Sequence, residues 1–63
     1  MASDAAQLSS IQAGLAELEG RLAAIARTYE GTTREDVLGA LYEAERALRA
    51  TQRQVARAEQ LLT

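Results

Sequence analysis

Glu45, Gln52 and Glu59 recur at intervals of seven, and on a helix that spacing aligns two carboxylates and an amide in one row. Inside a helical bundle such a row can ligate a metal, as carboxylates do in di-iron proteins, but those sites also use Glu-x-x-His motifs and this sequence has no His. The row is therefore expected to be the polar rim of a helix–helix seam that fixes register, with no metal and no cofactor. Glu17 with Glu19, and Glu43 with Glu45, stand two apart. On a helix they turn to different sides, so neither pair converges on one substrate. Without His, Cys or Lys there is no usual general base near neutral pH, no thiolate and no Schiff-base amine. Ser9 and Ser10 have nothing evident to activate their hydroxyls. The expectation is a protein that is not an enzyme.

Arg46, Arg49, Arg53 and Arg57 follow one another at spacings of 3, 4 and 4, a basic stripe along one side of a helix. One reading is a solvated face held by local pairs, Glu45–Arg49 at i, i+4 and Glu43–Arg46 at i, i+3, each contributing about 0.2–0.5 kcal/mol. The other is recognition of an acidic protein partner, a phosphate-bearing ligand or a lipid surface, for which Arg offers a planar fork of donors. Tyr42 lies one turn from Leu38 and Arg46. A Tyr beside Leu and Arg has the composition of an interface hot spot, and equally of the edge of a dimer. Tyr42, Arg46, Arg49, Arg53 and Arg57 form the candidate partner-binding set. A net charge of −2, with two Tyr as the only aromatic residues, argues against nucleic acid, whose binding rests on neutralised phosphates and stacking.

The elements that position these residues are legible from hydrophobic spacing. Leu8, Ile11, Leu15, Leu18, Leu22, Ile25 and Tyr29 fall at alternating intervals of 3 and 4, an unbroken heptad seam. Ser3 or Asp4 can cap its start, with Gln7 three residues after Asp4 as a capping box requires. The second segment repeats at Leu41, Leu48, Val55 and Leu62. It is flanked on one side by Val37, Ala44, Thr51 and Ala58 and on the other by Leu38, Glu45, Gln52 and Glu59. Between the two, Gly31 stands where a left-handed residue ends a helix, and Thr32–Glu35 and Thr33–Asp36 are candidate capping boxes. The fold class expected is all-α, an antiparallel two-helix hairpin of residues 4–30 and 34–62 forming one domain over 1–63. It is coiled-coil-like, with arms of roughly 40 Å at 1.5 Å per residue.

Folding about the turn sets Leu22 near Leu41, Leu15 near Leu48, Leu8 near Val55 and Ile25 near Leu38. In the layers between, Leu18 meets Ala44 and Glu45, Ile11 meets Thr51 and Gln52, and Asp4 meets Ala58 and Glu59. A single hairpin then leaves Ile11 and Leu18 uncovered. Each half-exposed side chain forgoes about 1 kcal/mol of the roughly 1.5–3 kcal/mol that full burial supplies. A second copy laid over the Ala side completes a four-helix bundle, with Ile11, Leu18, Ala44, Leu48, Thr51, Val55 and Ala58 as the self-association surface. A different protein filling the same groove is the competing reading.

Size supports the need for a partner. At 63 residues the chain is below the roughly 70–80 residues under which one core seldom supplies more than about 3–5 kcal/mol, and it has no Cys for disulfides. Hydrophobic residues make up 48%, but Ala supplies nearly half of them, so the layers are thin. Every basic residue is Arg, which fits a GC-rich bacterial genome. No apolar run reaches the length of a membrane span and "MASDAAQLSS" lacks the features of a signal peptide, so a cytoplasmic protein is expected, with secretion independent of a signal peptide as the alternative.

Tyr29-Glu30-Gly31, an aromatic-x-Gly at the turn of two amphipathic helices, resembles the small W-x-G proteins secreted by type VII systems of Gram-positive bacteria. Tyr29 takes the place of the family's Trp. The family's tail signal, a Tyr followed four residues later by an acidic residue, has no counterpart here. The resemblance implies an antiparallel dimer serving as a secretion substrate or chaperone-like hairpin, with Tyr29 and Gly31 at the motif positions. Set beside it, the residues themselves imply a non-catalytic protein–protein interaction or adaptor module, or a regulator binding an anionic ligand through the Arg stripe.

Overall fold

The computed structural model describes residues 3–63. Ser3 starts the first helix: its hydroxyl accepts the Ala6 amide at 3.1 Å and its carbonyl accepts that of Gln7 at 2.9 Å. Of the two candidate caps it is Ser3 that serves, and Asp4 enters the first turn, where a carboxylate suits the helix dipole. Helix α1 runs Asp4–Tyr29 and helix α2 runs Glu35–Leu62, 26 and 28 residues respectively. They pack as one antiparallel hairpin, all-helical among the described residues, with extents of 48 × 17 × 11 Å.

The turn follows from Gly31. Glu30 has φ −62° and ψ 134°, Gly31 has φ +76°, and the Thr32 amide returns to the Tyr29 carbonyl at 3.1 Å, a type II turn whose third residue must reach positive φ. A Cβ at Gly31 meets nothing within 4 Å, so the position is constrained by backbone conformation alone. Gly31→Ala is accordingly expected to destabilise by about 1–2 kcal/mol, the cost of a left-handed L-residue. Gly31→Asn should cost less, since Asn is better tolerated there. Urea midpoints of the two variants check both the cost and its cause.

The second helix begins differently from expectation. Thr32 does not cap α2: its hydroxyl donates back to the Tyr29 carbonyl at 2.6 Å and accepts the Arg34 amide at 3.2 Å, which closes the turn. The N-cap position falls to Arg34, which makes no side-chain cap bond. The connection is therefore residues 30–34, with both helices a residue shorter there than their heptads imply. Arg34 instead grips Asp36 in a two-pronged pair at 3.1 and 3.2 Å. That bond, followed by the Val37 amide, lowers the Asp36 pKa, and the same bond raises that of Arg34. Because the Asp36 value is depressed in the fold, its contribution is present above the unfolded carboxylate value and is lost as pH falls through the folded one.

The seam is also not the one the apolar residues outline. Leu8, Leu15, Leu22 and Tyr29 are partly buried as expected, but the positions that alternate with them in the hairpin are Ala5, Gln12, Glu19 and Ala26. Ile11, Leu18 and Ile25 point out, at 49%, 46% and 48% exposed. On α2 the inward set is Leu38, Leu41, Glu45, Leu48, Gln52, Val55 and Glu59. Leu and Val layers thus alternate with polar ones. Gln12 donates to Glu59 across the seam. One heptad towards the turn Glu19 comes level with Gln52, and one further Ala26, 2% exposed, makes room for Glu45, 7% exposed.

Register is offset from simple folding back. Leu48 lines one depression with Leu18 and Leu22, and Arg49 bonds Glu19, further along α2 than the expected Leu22–Leu41 and Leu15–Leu48 pairs, whereas Leu8 shares a depression with Val55 as expected. The cause is side-chain direction. Helical side chains lean towards their own N-terminus, away from the turn in α1 and towards it in α2, and contacts form between residues whose Cα atoms are not level.

Candidate interaction surface

Ile11, Leu18 and Ile25 project from one face of the hairpin, and helical periodicity places Ala44, Thr51 and Ala58 of α2 on the same face. Two shallow apolar depressions mark it. One is lined by Leu18, Leu22, Ile25 and Leu48, with Arg21 at its edge; the other by Leu8, Ala50, Thr51, Val55 and Ala58, with Gln54. All seven residues of the expected self-association surface, Ile11, Leu18, Ala44, Leu48, Thr51, Val55 and Ala58, border this face. Ile25, placed by sequence reasoning against Leu38 inside the hairpin, joins them outside. Its signal was available: it stands one heptad beyond Leu18.

Ala26 is the one apolar residue fully shielded among those described, and no large side chain is. The broad side of the hairpin that carries the apolar face spans about 48 Å by 17 Å between Cα atoms, a projected area on the order of 800 Å², large enough to hold the roughly 800 Å² per partner of a standard protein interface.

The arginines lie elsewhere. Arg49 reaches across the seam to Glu19 at 3.0 Å instead of pairing with Glu45, which is buried. Arg46 pairs with Glu43 at 3.6 Å, as its i, i+3 spacing implies. Arg53 and Arg57 are exposed and unpaired among the described residues. Tyr42, half-exposed, donates to Glu30 at a long 3.4 Å. Partial burial raises its pKa first, and the Glu30 carboxylate, by charge and by accepting the proton, and Glu45 add to it. The structure so divides the stripe into a cross-helix tie, Arg49, and three surface cations. Arg46→Gln, Arg53→Gln and Arg57→Gln are each expected to alter stability by less than about 0.5 kcal/mol. Arg49→Gln should cost up to about 1 kcal/mol, the range of a partly exposed pair. Thermal melts of the four variants separate the two groups.

Glu17, Glu19, Glu43, Glu45 and Glu59 do not gather: among the described residues no group of three or more acidic side chains is placed to hold a metal ion. Ser9 and Ser10 are exposed on α1. No helix among the described residues is long and apolar enough to cross a membrane. Fold and surface together define a two-helix hairpin with one apolar face open. Comparison with protein-family models, with curated proteins and with solved structures gives no match.

Proposed function

We propose that this hairpin is a non-catalytic protein–protein interaction module that pairs with a second copy through its open face to form a four-helix bundle. The observation that carries the reading is the outward row of Ile11, Leu18 and Ile25, half-exposed in a chain with almost no other core. Burying the remaining half of each supplies about 1 kcal/mol, roughly 6 kcal/mol of gross stabilisation over two copies. A second copy is the occupant that fits best, because the large row of α1 and the small row of α2 complement each other on one self-complementary surface.

Pairing through this face leaves Tyr42, Arg46, Arg53 and Arg57 outside, since they occupy the side of α2 turned away from it. Those cations, doubled by the twofold axis, would then be the surface offered to an acidic protein partner, which is the adaptor role. Sedimentation equilibrium across micromolar concentrations, with helicity followed in parallel, tests the reading. Dimers whose melting temperature rises with concentration are expected. A helical monomer at all concentrations would refute self-association.

A further inference from the structure

We propose that the second copy docks with its turn at the same end as the first, the twofold axis running along the helices, so that α1 of each copy lies against α2 of the other. This rests on the self-association proposed above and adds its geometry. Two face-to-face arrangements satisfy a twofold axis. With the axis along the helices, the turns share an end and α1 covers the other copy's α2. With the axis across the helices, the turns point to opposite ends and α1 covers α1.

Side-chain size favours the first. On the open face α1 presents Ile11, Leu18 and Ile25, and α2 presents Ala44, Thr51 and Ala58. Laying α1 on α2 sets a large row into a small one twice, with equal helix spacings. Laying α1 on α1 stacks large on large along one side and small on small along the other, so the two pairs need different separations and one side packs below interior density. Height is settled by symmetry. Rotation about an axis parallel to the helices leaves height unchanged, so residues level within one hairpin are level across the interface. Leu18 shares a depression with Leu48 in its own hairpin, and it therefore faces the segment from Leu48 to Thr51 of the second copy.

Charge points the same way. Arg21 edges the depression of Leu18, Leu22, Ile25 and Leu48, and has no ion-pair partner among the described residues. In the same-end arrangement Glu43 of the second copy lies on the adjoining edge of α2, about one to two helical turns nearer the hairpin turn than Arg21. Glu43 holds only the exposed Arg46 at 3.6 Å and has free acceptor capacity. In the opposite-end arrangement the midpoint of α1, Asp4–Tyr29, meets itself, and Glu17 approaches its own twin, a like-charge contact.

The sequence has no Cys and Thr33 is exposed at the turn, so a nitroxide on Thr33→Cys is unique. Electron–electron distance measurement on the dimer should give a separation under about 25 Å, since neighbouring helix axes pack about 8–10 Å apart. A separation near the 48 Å length of the hairpin would overturn the arrangement while leaving self-association standing. A monomer by mass would overturn both. Arg21→Glu and Glu43→Arg should each weaken dimerisation a few-fold, the range of a surface ion pair, and the two together should restore it. Independent, additive losses would exclude the contact.

Discussion

Leu18→Ala is expected to convert the dimer to monomer at micromolar concentration. In a four-helix bundle Leu18 becomes a core side chain, and truncating such a residue costs about 2–5 kcal/mol. Set against the cost of about 1 kcal/mol or less that the isolated hairpin already bears, each dimer loses about 1–4 kcal/mol twice, so the dissociation constant should rise by at least about thirtyfold. The isolated hairpin predicts almost the opposite. There Leu18 is already 46% exposed, its truncation costs about 1 kcal/mol or less, and Ala is the better helix former. Sedimentation equilibrium reads the association and circular dichroism at the same concentrations reads the fold. Leu61→Ala serves as control: at 74% exposed near the end of α2 it should change stability by less than about 0.5 kcal/mol. A Leu18→Ala protein with the association of the parent would remove this face from the interface.

Gln52→Leu is expected to raise thermal stability. The side-chain nitrogen of Gln52 is buried and meets no acceptor among the described residues, because Glu19, which stands level with it, is drawn to Arg49. A buried donor left unpaired costs about 1–3 kcal/mol, and a Leu there extends the apolar layers on either side. For a domain of about this size 1 kcal/mol moves the melting temperature by about 4–8 °C, so a gain of at least that size should appear in a thermal melt. Gln52→Ala is the companion variant: it removes the unpaired nitrogen without adding apolar volume, and should fall between parent and Leu. A loss of stability in the Leu variant would mean that the amide has a partner in solution and belongs to the polar network of Gln12, Glu19 and Glu59.

The two helices, their antiparallel order and the turn are legible in the sequence because heptad spacing and Gly31 are strong local signals. Thr32 does not cap α2, because a hydroxyl near a turn has carbonyl and amide neighbours on both sides within reach. Here the type II turn at Gly31 offers the Tyr29 carbonyl first. The seam of α1 departs from its apolar stripe for a more general reason. Leu8, Leu15 and Leu22 belong equally to a stripe shared with Ile11, Leu18 and Ile25 and to one shared with Gln12, Glu19 and Ala26. Hydrophobicity selects the first, but α2 brings Glu45, Gln52 and Glu59 into the hairpin, and they require polar or small neighbours across it. The choice is made between helices and has no signature in either one alone. That Ile11 and Leu18 would remain uncovered was legible, because the small flank of Ala44, Thr51 and Ala58 is visible in the heptads. The local spacing points Arg49 at Glu45, whereas its partner lies thirty residues away.

The polar layers of the hairpin have a consequence for motion along its axis. Displacing α2 past α1 by one heptad is a translation of about 10.5 Å, and an all-leucine seam would accept it with little change in contacts. Here the neutral Gln52 sits between two carboxylates, Glu45 and Glu59, each seven residues away. The bond of Gln12 to Glu59, carried one heptad towards the turn, sets Glu19 level with Gln52. Sliding by one heptad in either direction would bring Glu19 level with Glu45 or with Glu59, two partly desolvated anions face to face. The polar layers therefore disfavour a slip of one heptad in either direction by repulsion, in addition to the limit that the short turn sets.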